Sequence, residues 1–194
     1  MTMHEDDVLR DSVRWLERAV IGLNLCPFAK SVHNKRQIHW CVTRASDAGD
    51  LLDELERELT ALAAMDASVR DTTLLVAPMA FADFLDFNDF LAAADALLRR
   101  LGLDGTLQIA SFHPQFQFAG TDADDVTNST NRSPYPTLHL IREASIDRAV
   151  KAFPQAESIY EVNIETLERL GPAGWRDLDV GAGAASRDST TEET

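Results

Sequence analysis

Apolar residues recur along this chain with two periods, and the alternation between them predicts an ordered series of helices and strands. Leu9, Val13, Leu16, Val20 and Leu23 are spaced by four, three, four and three, one face of a helix over residues 7–23. Asp7 suits its N-cap and Pro27 limits its continuation. Gln37 to Thr43 brings together Ile38, Trp40, Val42 and Thr43, a first strand. Ser46 or Asp47 can cap a second helix with Leu51 or Leu52, Leu55, Leu59 and Leu62 on its face. Thr72 to Ala77 is a short apolar run ended by Pro78, which fits a buried strand. Phe84, Phe87, Leu91, Ala94, Leu98 and Leu101 mark a third helix, stopped by Gly102. Thr106 to Phe112 reads as a third strand.

A long polar stretch then runs from His113 to Pro136, before a fourth strand over Thr137 to Arg142. Ser145 can cap a short helix ending before Pro154, and Ser158 with Glu161 makes a capping box for a last helix through Leu170. Strand–helix–strand units favour parallel pairing through right-handed crossovers. The expected fold is therefore α/β, a small, mainly parallel or mixed four-stranded sheet with helices on its faces. A ferredoxin-like α+β fold is the alternative, and it requires a direct hairpin inside the β-α-β run. Residues 1–171 are expected to form one globular domain. Residues 172–194, rich in Gly, Ala, Ser, Asp and Thr, are expected to form a disordered acidic tail.

Composition narrows the partners. The chain has 194 residues, with 18 Lys and Arg against 32 Asp and Glu, a formal net charge of -14. A surplus of acid argues against nucleic acid and against anionic membrane surfaces, both of which are held by Lys and Arg. Glu5, Asp6 and Asp7 do not fit a secretory or transit leader, so a cytoplasmic location is expected. The two cysteines, Cys26 and Cys41, are expected as free thiols there. The charge is also uneven. From Asn24 to Arg44 the chain carries Lys30, Lys35, Arg36 and Arg44 and no acid. Such an island can attract a small anion.

Candidate chemistry gathers where strands end. In open α/β sheets, ligands bind beyond the carboxyl ends of parallel strands. Those ends deliver Arg44, Pro78 with Met79, and Ser111-Phe112-His113-Pro114. The long loop adds Phe116, Phe118, Asp122, Asp124, Asp125, Asn128, Asn131, Arg132, Ser133 and Tyr135. No GxGxxG, GxxxxGK[ST] or Gly-x-Ser-x-Gly pattern occurs, so the common nucleotide loops and the hydrolase elbow are excluded.

Three segments match a known pattern: Gly22-Leu23-Asn24-Leu25-Cys26-Pro27-Phe28-Ala29, Ser111 to Phe118, and Thr130-Asn131-Arg132-Ser133-Pro134-Tyr135-Pro136. In these the chain resembles a bacterial family known as domain of unknown function 1415, from the first helix to about Leu170. The resemblance implies a single cytosolic domain and brings no activity with it.

The residues themselves allow two functional readings. In the first, a small enzyme acts on an anionic small molecule. Cys26 is then the nucleophile and His113 the base, Arg132 with Asn131 clamps the anion, and Ser133, Tyr135 and Arg44 complete the pocket. In the second, the same pocket holds a ligand without covalent chemistry, and Cys26 is packing. A structural or partner-binding protein without a pocket is a third reading. Cys41, flanked by Trp40 and Val42, is expected in the core, and His33 and His39 in solvated or edge positions and not as ligands. His139, between Leu138 and Leu140, is expected to play a structural part in its strand. No histidine pair has i,i+4 spacing, and no metal site or cofactor is assigned.

Overall fold

Four strands and six helices order the computed structural model, which describes residues 4–152 and 158–185. The strands are β1 (Ile38–Val42), β2 (Thr72–Val76), β3 (Leu107–Phe112) and β4 (Thr137–Arg142). They form one sheet in the order β1-β2-β4-β3. β1 and β2 pair in parallel, while β4 lies antiparallel to both β2 and β3. The sheet is therefore mixed. β1, β2 and β3 all end on the same side, and β4 starts there, so the four strands share one mouth.

The helices are α1 (Glu5–Trp15), α2 (Ala29–Asn34), α3 (Ala48–Ala64), α4 (Phe84–Arg100), α5 (Glu143–Ala152) and α6 (Ile159–Asp177). Asp47 caps α3 by accepting from the Asp50 N–H at 3.0 Å, and Asp83 caps α4 by accepting from Leu85 and Asp86. α3 and α4 cover one face of the sheet. Leu51, Leu55, Leu59 and Leu62 of α3 are fully buried there, against Leu75, Leu107, Leu138 and Leu140. Each such leucine contributes about 1.5–3 kcal/mol relative to an exposed one. Gly102 follows α4 with φ at 68°, a conformation that costs glycine nothing.

α1 and a π-helical continuation (Leu16–Ile21) cover the opposite face. Trp15, Leu16, Ala19 and Val20 pack there with Ile38, Trp40 and Phe112. All five residues of β2 are buried because both faces of that strand are covered. The wide turn shows in bonds from the N–H of Gly22 to Glu17 O and of Leu25 to Val20 O, each spanning five residues.

Several sequence expectations are corrected. α1 starts at Glu5 with His4 at the cap, and Asp7 lies in its first turn, paired with Arg10. Its buried face is Val8, Asp11, Ser12 and Trp15, while Leu9 and Val13 are only partly covered. α5 follows β4 directly, so Ser145 lies inside the helix and donates to Asp71 at 2.6 Å. Pro154 lies outside the described residues.

The body also does not stop at residue 171. Gly171 (φ 70°) breaks α6, but helix resumes through Asp177. Val180 and Ala184 are buried, and Arg14 binds both the carbonyl (2.7 Å) and the carboxylate (2.9 Å) of Asp179. The expected tail is thus a packed segment as far as Ala185, because its small residues fit closely over α1. Residues 186–194 lie outside the described residues. Among the described residues, no helix is long and apolar enough to cross a membrane.

Candidate functional site

The mouth of the sheet holds two adjoining clefts. One, of about 200 Å³, lies between Pro78–Ala82 and the Pro134–Pro136 turn, with His113 and Pro114 at its side. The other, of about 330 Å³, lies between the start of α1 and the end of β1, lined by His4, Glu5, Val8, Val42, Thr43 and Arg44. Pro78 and Met79 form a wall common to both. Arg44 is exposed and makes no hydrogen bond or ion pair among the described residues.

His113 belongs to the mouth but is spent on holding it. Its ring is 1% exposed and lies 5.3 Å from the Phe87 ring and 5.6 Å from the Phe84 ring. The Gln115 N–H donates to Nδ1 at 3.0 Å, which leaves Nε2–H to donate to Phe81 O at 2.9 Å. That pair of bonds fixes the neutral tautomer. Burial lowers its pKa in the same sense. A base needs a free nitrogen facing substrate, and neither nitrogen is free.

The loop is an organised structure. A 3-10 turn (Val126–Asn131) carries Asn128, which is fully buried. The Asn128 side-chain oxygen accepts from the Phe118 N–H at 2.9 Å and the Thr121 hydroxyl at 2.8 Å, and its amide donates to Asp122 O at 2.9 Å. Arg132 donates to the carbonyls of Phe116 (3.2 Å) and Ala123 (2.6 Å), so its guanidinium staples the loop instead of facing an anion. Asn131 donates to Ser111 O at 3.2 Å, and Ser133 to Tyr135 O at 2.6 Å. The anion clamp expected of Asn131 and Arg132 is thus turned inward, because a loop this polar uses its own side chains to satisfy its backbone.

Tyr135 reaches across the sheet end to α1. Its hydroxyl donates to buried Asp11 at 2.7 Å. Asp11 also accepts from the N–H of Gly183 at 2.7 Å and of Ala185 at 2.8 Å. Burial and the Asp11 carboxylate push the Tyr135 phenol well above its ordinary pKa. Asp11 was not singled out from the sequence. Its signal was a carboxylate at the i+3 position from Val8, where an apolar residue belongs.

Cys26 does not meet His113. It packs against the α1-side cluster of Trp15, Leu16, Ala19 and Val20, whereas His113 stacks on α4 across the sheet. Burial raises the Cys26 thiol pKa, against the opposing effect of the Phe28 and Ala29 N–H groups. The expected nucleophile–base pair is therefore not assembled: the loop that carries Cys26 packs in the α1-side layer, while His113, just past the end of β3, stacks on Phe87 of α4. The basic island is also divided. Lys35 and Arg36 precede β1 and Arg44 follows it, with about 17 Å of strand between.

One cluster lies away from the mouth, on the outer edge of the α3 side. Cys41, Glu54 and Glu58 bring ligand-type atoms within 4.8 Å of one another. Cys41 Sγ donates to Glu54 Oε1 at 3.8 Å, and His39 Nε2 lies 3.6 Å from Glu58 Oε2. Burial and the two carboxylates push the Cys41 thiol up to about 12. Cys41 is thus at the rim of the core and next to acid. The alternation His39-x-Cys41 and the i,i+4 pair Glu54 and Glu58 were readable separately, but their meeting depends on how α3 packs on β1.

No curated protein and no solved structure matches the chain. A family model described as protein of unknown function (DUF1415) matches residues 7–177. That span takes in most of α1, the whole sheet, the loop network and α6, so the chain belongs to the DUF1415 family.

Proposed function

We propose that this protein is a binding module that holds a small organic anion, without covalent chemistry, at the mouth of the sheet. One observation carries the reading. The apolar cleft walled by Pro78, Met79, Pro114, Pro134 and Pro136 adjoins, across Pro78 and Met79, a second cleft where an exposed arginine, Arg44, sits with His4 and Glu5 and makes no hydrogen bond or ion pair among the described residues. Apolar walls with one converging cation suit a ligand with a hydrocarbon body and a carboxylate or phosphate head. The cleft of about 200 Å³ suits a body of ring size. His113 and Arg132 serve as scaffold in this reading, since their polar atoms bind backbone. A cytoplasmic location accords with the two free thiols, Cys26 and Cys41.

The test is a nuclear magnetic resonance titration of the full chain with benzoate, with inorganic phosphate as the head-group control. Saturable shifts at Thr43, Arg44, Met79 and Phe81 are expected with benzoate, and Arg44→Gln should weaken them at least about tenfold, the scale of one charge-assisted hydrogen bond. Absence of saturation with either probe, or an unchanged affinity in Arg44→Gln, would remove the proposal.

A further inference from the structure

We propose that Cys41, Glu54 and Glu58, with His39 as fourth ligand, form a site for one divalent transition-metal ion of the zinc class, joining β1 to α3. The backbone supplies the arrangement. The two-residue period of a strand puts His39 and Cys41 on one face of β1. The four-residue step of a helix puts Glu54 and Glu58 on one face of α3. The two faces meet, with ligand-type atoms of Cys41, Glu54 and Glu58 within 4.8 Å of one another.

The spacings suit a tetrahedral ion. Bonds of about 2.3 Å to sulfur and 2.0–2.1 Å to nitrogen and oxygen separate tetrahedral ligand atoms by about 3.3–3.5 Å. The Cys41 Sγ to Glu54 Oε1 distance is 3.8 Å and the His39 Nε2 to Glu58 Oε2 distance is 3.6 Å. Side-chain rotation must close the difference, and must bring His39, which neighbours Glu58, up to the group of Cys41, Glu54 and Glu58. A thiolate with one imidazole and two carboxylates selects zinc-class ions over calcium and magnesium, which take oxygen alone.

The surroundings act as those of metal sites do. Arg70 donates to Glu58 and to the Thr73 hydroxyl (2.7 Å), and Arg57 donates to Glu54. Hydrogen bonds of this kind orient ligating carboxylates, and each carboxylate keeps lone pairs for an ion. β1 has a single strand neighbour, and the His39 side chain is 44% exposed, so an ion can enter from the sheet edge. On binding, the Cys41 S–H bond breaks, an Sγ–metal bond forms and the proton passes to solvent, with no change of oxidation state.

The test uses the full chain, stripped with chelator and titrated with Co²⁺. Expected are one ion per chain, a thiolate-to-cobalt charge-transfer band, the strong visible bands of a four-coordinate ion, and displacement by Zn²⁺. The bands should persist in Cys26→Ser, vanish in Cys41→Ser, and require at least about tenfold more Co²⁺ in Glu58→Gln. No charge-transfer band in the unaltered chain, or one that survives Cys41→Ser, overturns the proposal. Should Cys41→Ser not fold, alkylation of the unaltered chain decides. Saturating Zn²⁺ must protect Cys41, and an unprotected Cys41 overturns the site.

Discussion

The hydroxyl of Tyr135 donates to the carboxylate of Asp11 at 2.7 Å, joining residues 124 positions apart. Both are buried, and Asp11 takes two further N–H donors, from Gly183 and Ala185. Removing this carboxylate orphans three donors at once. Asp11→Ala should therefore cost about 3–5 kcal/mol, and Tyr135→Phe about 1–3 kcal/mol. Urea unfolding of both variants and of the double variant checks this. Strict additivity of the two losses would show that the bond is not the link between them.

A chain ending at Asp177 should be less stable than the full chain. It loses the buried Val180 and Ala184, the two N–H groups bound to Asp11, and the Asp179 partner of Arg14. The loss should be at least about 3 kcal/mol from these terms together. A truncated chain with an unshifted urea midpoint would return residues 178–185 to the status of a tail.

Acid should destabilise the protein before its carboxylates titrate. Burial pushes the His139 pKa down from 6.5 to about 4, and His113 moves the same way. An unfolded chain then binds a proton that the folded chain refuses, so stability holds above pH 6.5 and falls between pH 6.5 and pH 4. For His139 alone the loss reaches about 3 kcal/mol. His139 Nε2 donates to the Thr72 hydroxyl at 2.7 Å, which in turn donates to Leu140 O at 2.6 Å. His139→Gln can keep that partner while losing the titration, so its stability should be flatter between pH 6.5 and 4 than that of the unaltered chain. Parallel pH profiles would count against this account.

Neither cysteine should behave as an activated thiol in metal-free protein. Burial raises Cys26, and burial with Glu58 and Glu54 raises Cys41 to about 12. Labelling of each thiol against pH should give apparent pKa values above the roughly 8.5 of a free cysteine. A value below that for Cys26 would revive it as a nucleophile.

Arg132→Ala should loosen the loop and leave the sheet intact. It unpins the carbonyls of Phe116 and Ala123, at a cost of about 1–3 kcal/mol. Hydrogen exchange should rise at Asn128 and its neighbours, and stay unchanged at Leu75. Unchanged exchange across residues 116–128 would mean that Asn128 alone holds the loop.

The fold was legible where one face decided the pattern. Leu51, Leu55, Leu59 and Leu62 specify α3, and Gly102 ends α4, by rules that need only local sequence. α1 was harder. It buries Asp11 and Ser12, and the π turn shifts its face after Trp15, so strict apolar spacing picked Leu9 and Val13 instead. The place of the mouth was legible, because parallel strands deliver their ends together. The roles of its residues were not. Whether Arg132 faces an anion or a carbonyl, and on which side of the sheet Cys26 lies, are set by tertiary packing. The small residues after Gly171 looked like a tail because smallness serves close packing as well as disorder.

The bonds from Gly183 and Ala185 to Asp11 span 172 and 174 positions of the chain. Together with Arg14 and Asp179 they make the covering of α1 a highly non-local event among the described residues. During synthesis, the carboxylate of Asp11 has no backbone donors from Gly183 or Ala185 until nearly every other element exists. The Trp15 face of α1 can close on Ile38, Trp40 and Phe112 earlier, but its Asp11 side is completed only when residue 185 has been made.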